Sequence, residues 1–374
     1  MGDAIITIKA GNKSVQCTVT VHDYLDFYGG IGEFKSAIEK NENALFLRLN
    51  VDIQVEDFPD FFPIVIPNGK TVHIDFNKHI VGYTFSSKEN CIYAFFVNNG
   101  GKLFLKSLAD DIEHIKSFLT YDSKCTYDEY YQNTGSLIEN RNGGLLVVEK
   151  IEIYLIYDQL FEETEIDNSI APNYVINNLD GELSIVESYI SLHNQIIFSD
   201  KEAIIFNGEK SKATISGENF FNGSKVLVNY GVIELFSAKT IEYFWTPILN
   251  YGTITEISVG NVFTPEKNTS FVHSIGNKAI IGKISGGAFG AYFGEVMSTL
   301  FEFSNGARLG EITGGSFYSE EAEFVYKGGD ITKLMVIKGI SGGEFSHEVP
   351  KNLLDSGYTC VFDSEKGMYI VTKK

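Results

Sequence analysis

The sequence predicts an all-β chain built as a β-solenoid, and three observations carry that prediction. One phrase occurs three times near the C-terminal end: Ile284-Ser-Gly-Gly-Ala-Phe289, Ile312-Thr-Gly-Gly-Ser-Phe317 and Ile340-Ser-Gly-Gly-Glu-Phe345, each copy starting 28 residues after the last. A fixed period of this length means one unit stacked on copies of itself, and this unit is too short and too rich in β-branched residues to be a helix pair. Upstream, short apolar strands follow Asn/Gly corners at Asn68-Gly69, Asn99-Gly100, Asn142-Gly143, Asp180-Gly181, Asn207-Gly208, Asn229-Tyr-Gly231 and Asn250-Tyr-Gly252. Gly or Asn there supplies the positive φ that a sharp bend between strands needs. Composition agrees, with 36 Gly for corners, only 7 Pro, and 29 Phe and 20 Tyr for strands.

Taken in order, residues 3–21 read as two alternating strands, Ile5 to Lys9 and Val15 to Val21, around an Ala-Gly-Asn turn, which is a β-hairpin. Gly29 to Lys40 places Phe34, Ala37 and Ile38 at i, i+3, i+4 and predicts a short amphipathic helix, suited to capping an open sheet edge. A strand is expected over Leu45 to Ile53, and then another with Val72, Ile74 and Phe76 facing inward. Ser107 to Leu119 carries Ile112, Ile115 and Leu119 at helical spacing and predicts a helical insertion, followed by a polar, Tyr-rich surface loop over Tyr121 to Asn133.

Two resemblances add to this reading. Residues 3–21 closely resemble the last two strands of bacterial immunoglobulin-like group 2 domains, of which they would be a remnant or an attachment hairpin. The phrases Ile66-Pro-Asn-Gly-Lys-Thr-Val-His-Ile-Asp-Phe76 and Asn98-Asn-Gly-Gly-Lys-Leu103 resemble the opening coils of pectate-lyase-like right-handed β-helix proteins displayed by gut bacteria and their phages. The three Gly-Gly phrases resemble closing coils of that group, and the stretch from Pro350 to Val371 resembles its C-terminal cap. The likeness implies a right-handed parallel β-helix over residues 42–345, preceded by a hairpin (1–23) and a capping helix with linker (24–41), and closed by a cap over 346–374. It also implies an extracellular place on a bacterial surface or virion, and a homotrimer if the chain is displayed on a virion.

A net charge of −19 argues against nucleic acid, whose phosphates must be neutralised by Lys and Arg, and disfavours anionic lipid surfaces. No run of 18 apolar residues offers a membrane span, and the first residues lack the basic segment of a signal peptide. Cys17, Cys91, Cys125 and Cys360 are far apart, with no metal-ligand spacing, and read as buried thiols.

The linear sequence holds little obvious chemistry. Asp110-Asp111 would point about 100° apart on a helix and reads as a solvated face. The acidic run Glu162, Glu163, Glu165 and Asp167 offers hard-cation ligands, so calcium is the one cofactor left open, against a solvated loop. His73 and His79 read as exposed strand positions rather than ligands. Outward aromatics after strands carry the sharper hypothesis: Tyr243, Trp245, Tyr292 and Tyr318 would offer ring faces to a sugar. The expectation is a non-catalytic recognition or adhesion protein that binds a glycan or host receptor. A polysaccharide lyase or glycoside hydrolase is the alternative, and a structural spacer the third reading. A groove lined by three or more carboxylates from successive coils would favour catalysis.

Overall fold

The structure is a computed structural model that describes residues 2–10, 13–40, 43–56, 63–85, 94–108, 118–123, 135–157, 173–194, 202–223, 225–242, 246–263, 270–289, 301–318 and 335–374. These residues are almost entirely β, with one α-helix, Ile31–Lys40. The strands form sheets of 22 and nine members, plus a separate two-stranded hairpin in which Gly2–Ala10 pairs antiparallel with Lys13–Val21.

Pairing resolves the two large sheets into three parallel ladders, visited in turn. The chain runs through Ile64–Pro67, Thr71–Asp75 and Ile80–Phe85, then returns to the first ladder at Phe96–Asn99. Each strand pairs in parallel with its counterpart in the next unit. The second ladder continues through Lys102–Lys106, Leu145–Glu149, Glu182–Val186 and Lys212–Ser216. The third runs through Phe118–Ser123, Glu152–Tyr157, Tyr189–Asn194 and Phe220–Asn222. Further along, Val232–Glu242, Thr253–Phe263 and Ile280–Phe289 serve both ladders in one strand.

In-register pairing turns alternation along each strand into columns of like residues. Val72, Leu103, Leu146, Leu183, Ala213 and Ile233 form one inward column, and Ile74, Leu105, Val148, Ile185, Ile215 and Phe236 the next. All of them are buried. The Gly-Gly phrases build a third, in which the rings of Phe289, Phe317 and Phe345 stack with centroids 5.0 Å apart at 9°. The second Gly of each phrase holds positive φ (131°, 107° and 110° at Gly287, Gly315 and Gly343), where a side chain would be strained. The glycines of this phrase therefore make the bend.

The corner leading from the first ladder to the second departs from expectation. Gly69, Gly100, Asn142 and Gly143 do adopt positive φ, but Asn207, Asn229 and Asn250 do not. These asparagines point inward and join a hydrogen-bonded ladder. Nδ2 of Asn98, Asn140, Asn178, Asn207 and Asn229 each donates to Oδ1 of the next member, at 2.7–2.9 Å, down to Asn250. Asn250 Nδ2 then donates to Ser274 Oγ at 3.3 Å. The second Nδ2 proton goes to a main-chain carbonyl, such as Leu145 for Asn98 and Lys212 for Asn178. Gly208 is needed beside this ladder for space, because a Cβ there would lie 2.2 Å from the Leu179 carbonyl oxygen.

Both ends carry added structure. Helix Ile31–Lys40 buries Phe34 and Ile38, and the buried Lys70 ammonium donates to the Ile38 carbonyl near the helix C-terminus, where a cation is favoured. At the far end Met368–Lys373 pairs antiparallel with both Tyr358–Asp363 and Glu344–Phe345, covering the last parallel edge. Two expectations are corrected. Ala44–Leu49 and Ile53–Glu56 are separate strands serving different ladders, not one. Phe118 and Leu119 begin a strand with parallel neighbours on both sides, Ile80–Phe85 and Glu152–Tyr157, and this pairing also takes Tyr121 out of the loop. Residues 109–117, including Asp110-Asp111, lie outside the described residues.

Candidate functional site

Four successive units converge on a groove at the corner leading from the second ladder to the third. Its volume is about 530 Å³, and among the described residues it is lined by Ile151, Glu152, Glu187, Ser188, Tyr189, Glu218, Phe220 and Lys239. The register explains the assembly. Glu152, Tyr189, Phe220 and Thr240 are direct partners on consecutive third-ladder strands, so their side chains line one outward column. Glu187 and Glu218 come from the bends just before those strands, where Lys150 and Glu187 hold positive φ of 54° and 49°. Gly217, at φ 80°, leaves room for the Glu187 side chain, whose Cγ would lie 2.9 Å from a Cβ at that position. Strands spaced by roughly 4.8 Å give the groove a run of about 14 Å across four units.

The groove is acidic with an aromatic floor. Lys239 Nζ lies 2.6 Å from Glu218 Oε2 and 5.7 Å from the Phe220 ring centroid. Lys150 Nζ lies 3.7 Å from Glu187 Oε2. Glu152 is the most buried of the three carboxylates. Burial holds its carboxyl above the usual carboxylate range, against a hydrogen bond that the Tyr154 hydroxyl donates to Oε2 at 2.6 Å. Tyr154 is itself pushed up, first by burial and then by that carboxylate. Its ring packs 5.4 Å from Tyr189. A carboxyl whose pKa is raised can donate a hydrogen bond or a proton over a wider pH range than an ordinary one.

Of the aromatic and acidic residues proposed from sequence as binding or metal sites, Tyr318 alone is described. It is 45% exposed, follows the strand Ser316–Phe317, and is far along the ladder from the groove. Tyr243, Trp245, Tyr292 and the acidic run Glu162, Glu163, Glu165 and Asp167 lie outside the described residues. Among the described residues no three His, Cys, Asp or Glu side chains cluster as metal ligands, and no helix is long and apolar enough to cross a membrane. His79 pairs with Asp52 at 3.0 Å. His73 is not an exposed position: its ring is sandwiched between Phe46 and Phe104 at 4.3 and 4.0 Å, with His22 stacked beyond Phe46 at 4.1 Å.

A second aromatic surface lies on the first ladder, where Tyr174, Phe206, Tyr230 and Tyr251 follow one another at 4.9, 5.7 and 4.6 Å. Tyr230 and Tyr251 are parallel to within 6°, so each ring spends a face on its neighbour. A sugar needs an open face, which the tight Tyr230–Tyr251 stack withholds. The groove, with polar groups beside its rings, is the better site. The sequence matches no family model, no curated protein and no solved structure.

Proposed function

We propose that the chain is a right-handed parallel β-helix that recognises a glycan in the groove between residues 151 and 239. The order of visits to three parallel ladders supports the architecture, and parallel crossovers are right-handed almost without exception. One observation carries the function: a groove spanning four units that combines ring surfaces from Tyr189 and Phe220 with three carboxylates and a lysine. Such a set suits a polyhydroxylated strand, with rings for its apolar faces and charged oxygens for its hydroxyls. Display on a bacterial surface or a virion belongs to the same reading and rests on the sequence resemblance alone.

The groove carboxylates Glu152, Glu187 and Glu218 come from three successive units, the arrangement set out above as favouring catalysis, and they support a second reading, glycoside hydrolysis. The raised pKa of Glu152 is what a general acid needs, and Glu187 and Glu218 supply carboxylates on neighbouring units. Incubating the protein with a panel of polysaccharides, and scoring both retention and new reducing ends, separates the readings. Retention without products supports recognition. Products lost in Glu152→Gln, with a rate that falls as pH rises through the Glu152 pKa, would replace it by hydrolysis. Neither retention nor products would leave a structural spacer.

A further inference from the structure

We infer that the groove takes an uncharged polysaccharide strand and rejects polyuronates, an inference that rests on the glycan-binding reading above. The charge in the groove is already committed. Three carboxylates line the groove against one lysine, and that lysine holds Glu218 at 2.6 Å. The neighbouring Lys150 lies against Glu187 at 3.7 Å. Binding a uronate would require breaking one of these pairs and would leave its glutamate facing the incoming carboxylate. Like-charge juxtaposition of that kind selects against the wrong partner at an interface. A neutral strand meets no such penalty. Its hydroxyls can donate to Glu187 and Glu218 while the lysines stay paired, and a protonated Glu152 can donate to a ring or glycosidic oxygen. At longer range the chain's net charge of −19 slows any polyanion before it arrives.

Glu152 sharpens the point. Burial already raises its pKa, and a neighbouring uronate would raise it further, which couples uronate binding to proton uptake there. Uronate binding, if forced, would therefore strengthen as pH falls, whereas neutral-strand binding would change little.

The test is affinity electrophoresis of the full chain at neutral pH and physiological salt. A chelator is included so that no divalent cation bridges carboxylates. The gels contain either neutral polymers (a β-glucan, a galactomannan, an arabinan) or polyuronates (polygalacturonate, alginate). The expected result is retardation by at least one neutral polymer and none by the polyuronates. The double variant Glu187→Gln, Glu218→Gln should fold as before and gain polyuronate affinity by roughly tenfold or more, since it frees two lysines and removes two like charges. Polyuronate retardation of the native chain equal to that by any neutral polymer would overturn the inference while leaving glycan binding in place. The same holds if the double variant gains nothing. Failure of every polymer, neutral or acidic, would bring down the binding reading and this inference together.

Discussion

Two corners of the same repeating unit use polar residues in opposite ways. At the corner between the first and second ladders, six asparagines point inward and hydrogen-bond in series, ending on Ser274. At the corner between the second and third, Glu152, Glu187 and Glu218 face a groove, with two lysines as partners. Both arrays arise because parallel in-register stacking places equivalent positions one strand spacing apart. What differs is the hydrogen-bonding capacity left over. An asparagine amide in mid-ladder has its side-chain oxygen and both amide protons engaged, so it can only hold the fold. The glutamates keep lone pairs turned to the groove, so they can act on something else. The comparison says where to look for function in a stacked fold: at the column whose valences are unspent.

Breaking the saturated array should have the largest effect. Asn207→Leu, close to isosteric, would strand the Nδ2 group of Asn178 and the Oδ1 of Asn229, both buried. Each buried group left without its partner costs about 1–3 kcal/mol, so the loss should be roughly 2–6 kcal/mol. Chemical denaturation with matched urea series measures it. Asn98 sits at the end of the ladder, and its buried Oδ1 has no partner, because the facing residue in the preceding unit is Ile66. Asn98→Ile removes that orphan while creating one at Asn140, and should cost far less than Asn207→Leu. Equal losses at both positions would mean that the ladder does not act as a chain of coupled bonds.

The open array predicts the reverse pattern. Phe220→Ala removes the ring beneath Lys239 from an outward column whose neighbour Phe221 carries the core. Glycan retention should weaken about tenfold, which is about 1.4 kcal/mol, with a smaller stability change than Asn207→Leu. If retention is unchanged while stability collapses, Phe220 belongs with the scaffold and the contrast between the corners fails.

The sequence exposed the repeated parts of this arrangement more readily than the site. The 28-residue period placed Phe289, Phe317 and Phe345 on one column, and alternation put Val72, Ile74 and Phe76 inside, all buried in the structure. Asparagines at the corners were visible, but their role was misassigned. A positive φ and an inward hydrogen-bonded column both favour Asn, and only the register distinguishes them. The groove went unseen because Glu152, Glu187 and Glu218 are more than thirty residues apart and share no flanking motif. Loop insertions of different length between units hide their alignment. A signal does exist in the apolar pairs Leu146/Val148, Leu183/Ile185 and Ala213/Ile215. Superposing these pairs places Lys150, Glu187 and Gly217 in one column, with Glu152 and Glu218 just after it. The helix expected over Ser107 to Leu119 is overturned at its end, Phe118 and Leu119, for a related reason. Local periodicity cannot register that Phe118 and Leu119 have strand partners waiting on both sides.

The smallest effect is expected where an outward column is neither saturated nor open. His73 lies in the second ladder, stacked between Phe46 and Phe104, and its Nδ1 is buried without a partner, as is that of His22. Burial lowers the His73 pKa to about 4, and the nearby Lys106 and His22 push the same way. The carboxylate of Asp75, on the same strand, is engaged by Arg48 at 2.9 Å and offers the ring no relief. A histidine whose folded pKa lies below its unfolded value binds fewer protons when folded, so its contribution is complete above about pH 6.5. That contribution is lost progressively as pH falls from there toward about 4. His73→Phe continues the ring stack without a titrating group and deletes the orphan nitrogen. It should therefore raise the denaturation midpoint least above about pH 6.5 and progressively more as pH falls toward about 4. A gain that is the same at every pH would show that ring packing alone, and not the uncharged state of the imidazole, sets the stability of this column.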